Sequence, residues 1–296
     1  MHAKALIVSL LLLASAQAAA QNLIRNNEIL ESDRPEAWAM NYFVASSLLT
    51  STGDAPSLEP GQWMVGLDIA QVPRLSHDEQ RIGFNGVKYE DLNRSPVFGR
   101  VRAWVGLPAG WVGEIGYTPP LRIEDTQPRH FLSLAIGRRL LERGPFSLSW
   151  RVFGQHGDVE GDITCPASLA GIDDITINPY GCHAPSQDVA SLNYYGTDLT
   201  WAWSAHPWQW YVETAVARTE TQVQVDAYTF DVHDRSRLVA HDVLPFVAAG
   251  VQREVGARWT GGAELLFVPL TVRRNANAPS QRDDFLDLRF QLRYRF

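Results

Sequence analysis

No run in this 296-residue chain reaches the roughly 20 consecutive apolar residues that a membrane-spanning helix needs. If the chain enters a bilayer it does so as strands, because only helices and closed barrels satisfy their backbone in lipid. Basic blocks are lacking too. The net charge is −7, with 26 Lys and Arg against 33 Asp and Glu, which leaves no electrostatic footprint for nucleic acid. Cysteine is scarce: Cys165 and Cys182 stand alone, and an even pair in an exported chain reads as a disulfide. With His183 they make three ligands, one short of the four that structural zinc takes, so neither a metal nor another cofactor is expected.

What is present begins at the first residues. Lys4 precedes the apolar run Ala5 to Leu13, and small residues fill Ala14 to Ala20. A positive start, a short apolar core and a small-residue cleavage zone make a secretory signal over residues 1–21. Removing it takes away Lys4 and no acid, so the charge moves from −7 to −8. Ten Trp, nine Tyr and twelve Phe suit the aromatic girdles of a membrane barrel. A hydrophobic content of 45% would fit any globular protein, so the case rests on pattern.

The pattern is clearest at the end. Leu286, Leu288, Phe290, Leu292, Tyr294 and Phe296 alternate with Asp287, Arg289, Gln291, Arg293 and Arg295, which puts the two sets on opposite faces of a strand. Nine further segments alternate in the same way. They lie around Trp63–Ile69, Val97–Leu107, Trp111–Tyr117, Leu132–Ile136, Phe146–Val152, Leu199–Trp203, Trp210–Val216, Val239–Val251 and Trp259–Phe267. Short links at 108–110, 142–144, 205–207 and 253–256 alternate with long polar links at 74–93, 119–128, 157–188, 220–237 and 273–283. Short turns on one side and long loops on the other are the layout of an antiparallel transmembrane barrel. We therefore expect an all-β barrel of about ten strands, ten to twelve, over residues 61–296. An even count places both ends of the chain on the short-turn side.

Residues 22–60 precede the barrel as a periplasmic or lumenal segment that does not span. Asp33-Arg34-Pro35-Glu36 resembles a capping box with Pro in the first turn, which would start a short helix over 36–49. The same residues alternate well enough to form a strand, but one more strand breaks the parity.

With its alternating last strand closing on Tyr294-Arg295-Phe296, the chain resembles small to medium Gram-negative outer-membrane proteins, whose terminal strand is an assembly signature. The resemblance implies an outer-membrane location, contact with membrane lipid and lipopolysaccharide, and insertion by the barrel assembly machinery. It says nothing about activity, since such barrels include pores, enzymes, adhesins and structural proteins.

The inward faces should carry Asp68, Arg100, Arg102, Glu114, Arg151, Asp198, Glu213, Asp242, Arg258, Glu264, Asp287, Arg289, Arg293 and Arg295. In a narrow barrel such charges fill the lumen as a bonded network. In a pore for small polar solutes they form a charged constriction. Enzymatic barrels offer two comparisons. The His and Ser that outer-membrane phospholipases and lipid A deacylases set close together are not matched, because His130 and Ser133 fall on opposite faces of one strand. Asp231-Val232-His233 and Glu124-Asp125 loosely resemble the omptin proteases. There His233 would be a general base oriented by Asp231, with Glu124 and Asp125 placing a water, although the early Asp-x-Asp pair of that family is missing. The sequence thus points first to a narrow transport pore or a structural barrel with a charged lumen, with an omptin-like hydrolase or a surface-binding barrel as alternatives.

Overall fold

The computed structural model describes residues 22–296 apart from Asp231 and Ala276. The signal segment, residues 1–21, and the Asp231 of the omptin-like comparison therefore lie outside the described residues. Ten antiparallel strands form the wall: β1 (Trp63–Gln71), β2 (Val97–Gly106), β3 (Trp111–Thr118), β4 (Gln127–Arg143), β5 (Phe146–Gly161), β6 (Asp188–Ala205), β7 (Trp208–Gln224), β8 (Arg237–Val255), β9 (Trp259–Val268) and β10 (Phe285–Arg295). Each pairs with its sequence neighbours, and β10 closes on β1 with Phe290 opposite Ile69. Closure gives every wall strand a partner on both sides over at least part of its length.

The N-terminal segment holds two findings. Residues Pro35–Ser47 form a helix, α1, buried along nearly its whole length inside the barrel. A helix apolar on every side is stable only where every side is covered, and the lumen supplies that cover. Its cap differs from the sequence expectation. Arg34 is the N-cap and makes no side-chain cap bond, while Asp33 instead receives Arg273. Pro35 occupies the first turn as expected.

The direction of the segment corrects the parity argument. Asn22–Ile24 pairs in parallel with Val232–Asp234, and Asn27–Ile29 with Arg237–Val239. Both partners belong to the long-loop end. From there the chain enters the lumen as α1, continues as an irregular segment through Leu48 to Leu58, and reaches the short-turn end, where the amide of Gly61 donates to the Gly106 carbonyl. The described start of the chain is thus at the long-loop end, opposite Phe296. Parity counts wall crossings and takes no account of one made inside the wall.

The lumen has two halves. Around α1 it is apolar: Tyr42 meets Phe285 edge-on at 5.0 Å, and Phe153 and Phe246 pack with Leu244 and Leu266 in one buried cluster. Below the helix it is charged.

Candidate functional site

The charged half of the lumen is built around main-chain atoms of residues 45–52. Helix α1 ends at Ser47, leaving carbonyls without intrahelical partners. Wall arginines supply the donors. Arg289 reaches the carbonyls of Leu48 (2.6 Å) and Ala45 (3.0 Å), and Arg100 reaches that of Ser47 (2.6 Å). Arg151 takes Leu49 (2.7 Å), Arg102 takes Thr50 (3.1 Å) and Arg293 takes Thr52 (2.7 Å). Cations at a helix C-terminus are favoured by its dipole as well.

The acids complete the lattice. Arg102 lies 2.7 Å from Asp68 and 2.5 Å from Glu114, and Arg151 lies 2.9 Å from Glu114 and 2.8 Å from Asp198. Arg289 pairs with Asp287 at 3.1 Å. Glu213 accepts the Ser51 amide at 2.8 Å, and Glu264 accepts the hydroxyls of Thr50 and Tyr211. Higher up, Asp242 accepts from Asn41 of α1 at 2.8 Å. Each of these carboxylates is bonded to a cation or a donor, as buried charge requires.

One sequence expectation is corrected. Arg258 is exposed in the turn between β8 and β9 and bonds the Tyr294 hydroxyl, outside the lumen. The alternation of β9 starts at Trp259, so extending it backward put Arg258 on a face the turn does not continue. Arg295 is exposed at the short-turn end. Gln155, Tyr194, Tyr211 and Gln252 also bond into the network. They follow the same inward register, so the alternation could have found them had polar neutral side chains been counted with the charged ones.

The lumen is filled. Two voids of about 20 and 30 Å³ remain beside residues 48–56, room for a water or two. At the short-turn end it widens into a polar vestibule of about 310 Å³ lined by Asp54, Arg139, Gln209, Glu254 and Arg293.

The long-loop end is closed by three features. Cys165 and Cys182 form the expected disulfide, with Cα atoms 5.6 Å apart. Cys182 bridges Thr229, whose strand belongs to the small sheet that also holds Asn22–Ile24. Over the helix start, Trp38 donates to the Asp283 carbonyl, and the Arg274 guanidinium lies 4.3 Å from the Trp38 ring. The residues of the omptin-like comparison do not assemble. His233 bonds Asp226 at 2.6 Å and stacks on Tyr228, whereas Asp125 faces Arg94 and Arg122.

Outside, the wall is apolar. Leu67, Ile115, Leu134, Val212, Leu265 and Leu288 are all exposed. Near the short-turn end Trp63, Trp203, Trp210 and Trp259 form a ring, with Trp203 stacked on Trp210 at 4.9 Å. A closed barrel wearing an apolar band and an aromatic girdle is built for hydrocarbon. The chain is a closed, ten-stranded antiparallel membrane β-barrel. No protein-family model and no curated protein matches the sequence. Among solved structures the barrel is similar to the outer membrane protease OmpT from Escherichia coli, at 10% identity and TM-score 0.34, over 80% of this chain and 94% of that one. It is similar to Neisserial surface protein A at 8% and 0.32, over 79% and 97%. It is also similar to the Pseudomonas putida toluene transporter TodX at 8% and 0.32, over 81% and 90%. Function has to be read from the barrel's own geometry.

Proposed function

We propose that this barrel rests shut, with its own N-terminal segment bound as a lumenal plug, and that any axial passage of small polar solutes waits on displacement of that plug. The observation that carries this reading is the set of five wall arginines donating to the main-chain carbonyls of Ala45, Ser47, Leu48, Leu49, Thr50 and Thr52. Carbonyl recognition reads the backbone, and the hydroxyls of Thr50, Ser51 and Thr52 add side-chain bonds to the same grip. The voids of about 20 and 30 Å³ beside residues 48–56 are too small for a solute to pass along the axis. An omptin-like hydrolase has less support, because His233 is bonded to Asp226, while Asp125 is engaged with Arg94 and Arg122.

Planar-bilayer recording of the refolded full chain tests the reading. The wild type should give no steady conductance, and the double variant Arg102→Met, Arg289→Met should give discrete openings. A wild type that conducts freely, or a folded double variant that stays silent, would count against a displaceable plug.

A further inference from the structure

The wall has an opening in its long-loop half. Strand β2 begins at Val97, but its ladder with β3 runs only from Val101 opposite Tyr117 to Gly106 opposite Val112. Strand β3 stops at Thr118, and Pro119-Pro120 follows, which offers no amide to continue the ladder. The first residues of β4, Gln127 to Arg129, pair only with β5. Above Thr118, then, β2 and β4 face one another across a gap.

A cavity of about 330 Å³ fills this gap and continues inward, within the size range of small-molecule sites. Its outer rim is made of lipid-facing residues, Leu67, Ile69, Val97 and Val101, all exposed on the barrel exterior. Its inner wall is lumenal: Phe98, Phe131, Leu192 and, from the plug helix, Phe43. One continuous apolar space therefore touches both the bilayer and the interior.

Two of the buried polar side chains in the lining have unpartnered atoms, Arg100 and Thr118. Arg100 is 3% exposed, and among the described residues no carboxylate pairs with it, unlike Arg102, Arg151 and Arg289. Its Nη2 serves Ser47 and Gln155, while its Nε is buried without a partner. The guanidinium lies 5.0 Å from the Phe98 ring. Gly116 makes room for it, since a Cβ there would sit 2.8 Å from the Arg100 Cδ. The Thr118 hydroxyl, in a residue 5% exposed, is also buried and unpartnered. By contrast Arg94, at the rim, is neutralised by Asp91 at 3.1 Å and Asp162 at 3.5 Å. A buried guanidinium lacking its anion, at the end of an apolar cavity, is matched by a carboxylate on an apolar body.

We propose that this cavity binds an apolar carboxylic acid, such as a medium-chain fatty acid, that enters sideways from the membrane between β2 and β4 and sets its carboxylate against Arg100 and Thr118. The site is reached from the membrane and not along the barrel axis, and does not depend on the plug being displaced. Phe43, Ser46 and Ser47 of the plug line it, so an occupant touches α1 directly.

The test uses the full chain in phosphatidylcholine nanodiscs, with radiolabelled decanoate as probe and decanol as its uncharged counterpart. Saturable decanoate binding above that of empty nanodiscs is expected, with decanol about tenfold weaker, as loss of a charge-assisted bond implies. Arg100→Met should weaken decanoate by a similar factor and leave decanol unchanged. Because Arg100 also supports the plug, Val101→Trp provides a second arm: it lies on the outer face, crowds the mouth without entering the network, and should lower binding of both probes. Heat-modifiable gel migration verifies that each variant folds. Equal affinity for decanoate and decanol, unchanged binding in a folded Arg100→Met or Val101→Trp, or uptake no greater than that of empty nanodiscs would each overturn the proposal.

Discussion

Arg289 of the last wall strand donates to the carbonyl of Leu48, just past the end of the lumenal helix, at 2.6 Å. The strand that closes the barrel is thus also one that grips its plug, and Asp287 on the same strand holds that arginine at 3.1 Å. Wall and plug are one cooperative structure, and the first prediction follows from their mutual dependence.

Arg102→Met removes a partner of both Asp68 and Glu114. Asp68 then loses its cation while Glu114 keeps Arg151, a loss of about 3–5 kcal/mol for a broken buried pair. Equilibrium unfolding of the refolded protein should show a drop of that size, whereas Arg258→Met, in the exposed turn, should leave the midpoint unchanged. Equal effects of the two substitutions would mean that the lumenal network contributes little.

The exterior face of β10 makes the second case. Leu288 is exposed on the apolar band, and Leu288→Arg puts a charge into hydrocarbon at a cost of about 2–4 kcal/mol near the bilayer midplane. The measurement is unfolding in lipid vesicles. A neutral outcome would move Leu288 out of the hydrocarbon region.

The stapled loop should behave independently of the wall. Replacing Cys165 and Cys182 by Ala releases a closed loop, which lowers stability by up to about 3 kcal/mol in the chain-entropy model. It should also open residues 166–181 to protease while leaving heat-modifiable migration intact. Cleavage inside the barrel strands would instead show that the loop holds the wall together.

Loop 72–96 carries a pH response. Lys88 Nζ donates to both carboxylate oxygens of Glu90 at 2.9 Å and to the Thr164 carbonyl at 2.6 Å. Burial pushes the Glu90 carboxyl up to about 8, against the pull of Lys88. The folded value lies above the ordinary one, so this group's contribution to stability is full below the ordinary carboxylate range and is lost as pH rises through about 8. Limited proteolysis of this loop should accelerate between pH 6 and pH 9, and Glu90→Gln should flatten that dependence. Protection that grows with pH would contradict the assignment.

Much of the wall could be read in advance because a barrel in lipid enforces strict alternation. Leu288 and Arg289 cannot exchange faces, so Asp68, Arg100, Arg102, Glu114 and Arg151 could be placed inward from order alone. The interior of the upper lumen was not legible in this way. Alternation leads one to expect polar residues there, yet Leu244, Phe246 and Phe131 face inward, because the cover they need comes from α1 and not from water. The helix itself escapes periodicity analysis: a segment surrounded by protein on all sides has no polar stripe to mark its face. Arg258 falls outside the pattern because a repeat of period two does not announce where its strand ends.

The path of residues 48–58 bears on assembly. A chain that enters the lumen at one mouth and becomes wall at the other cannot be drawn through a finished ring without threading. The seam between β1 and β10 therefore has to zip around a segment already in position, and Arg289, which binds that segment, lies on the seam itself, opposite Ala70. Biogenesis of this barrel is in that sense templated from within: the plug is the mandrel on which the first and last strands meet.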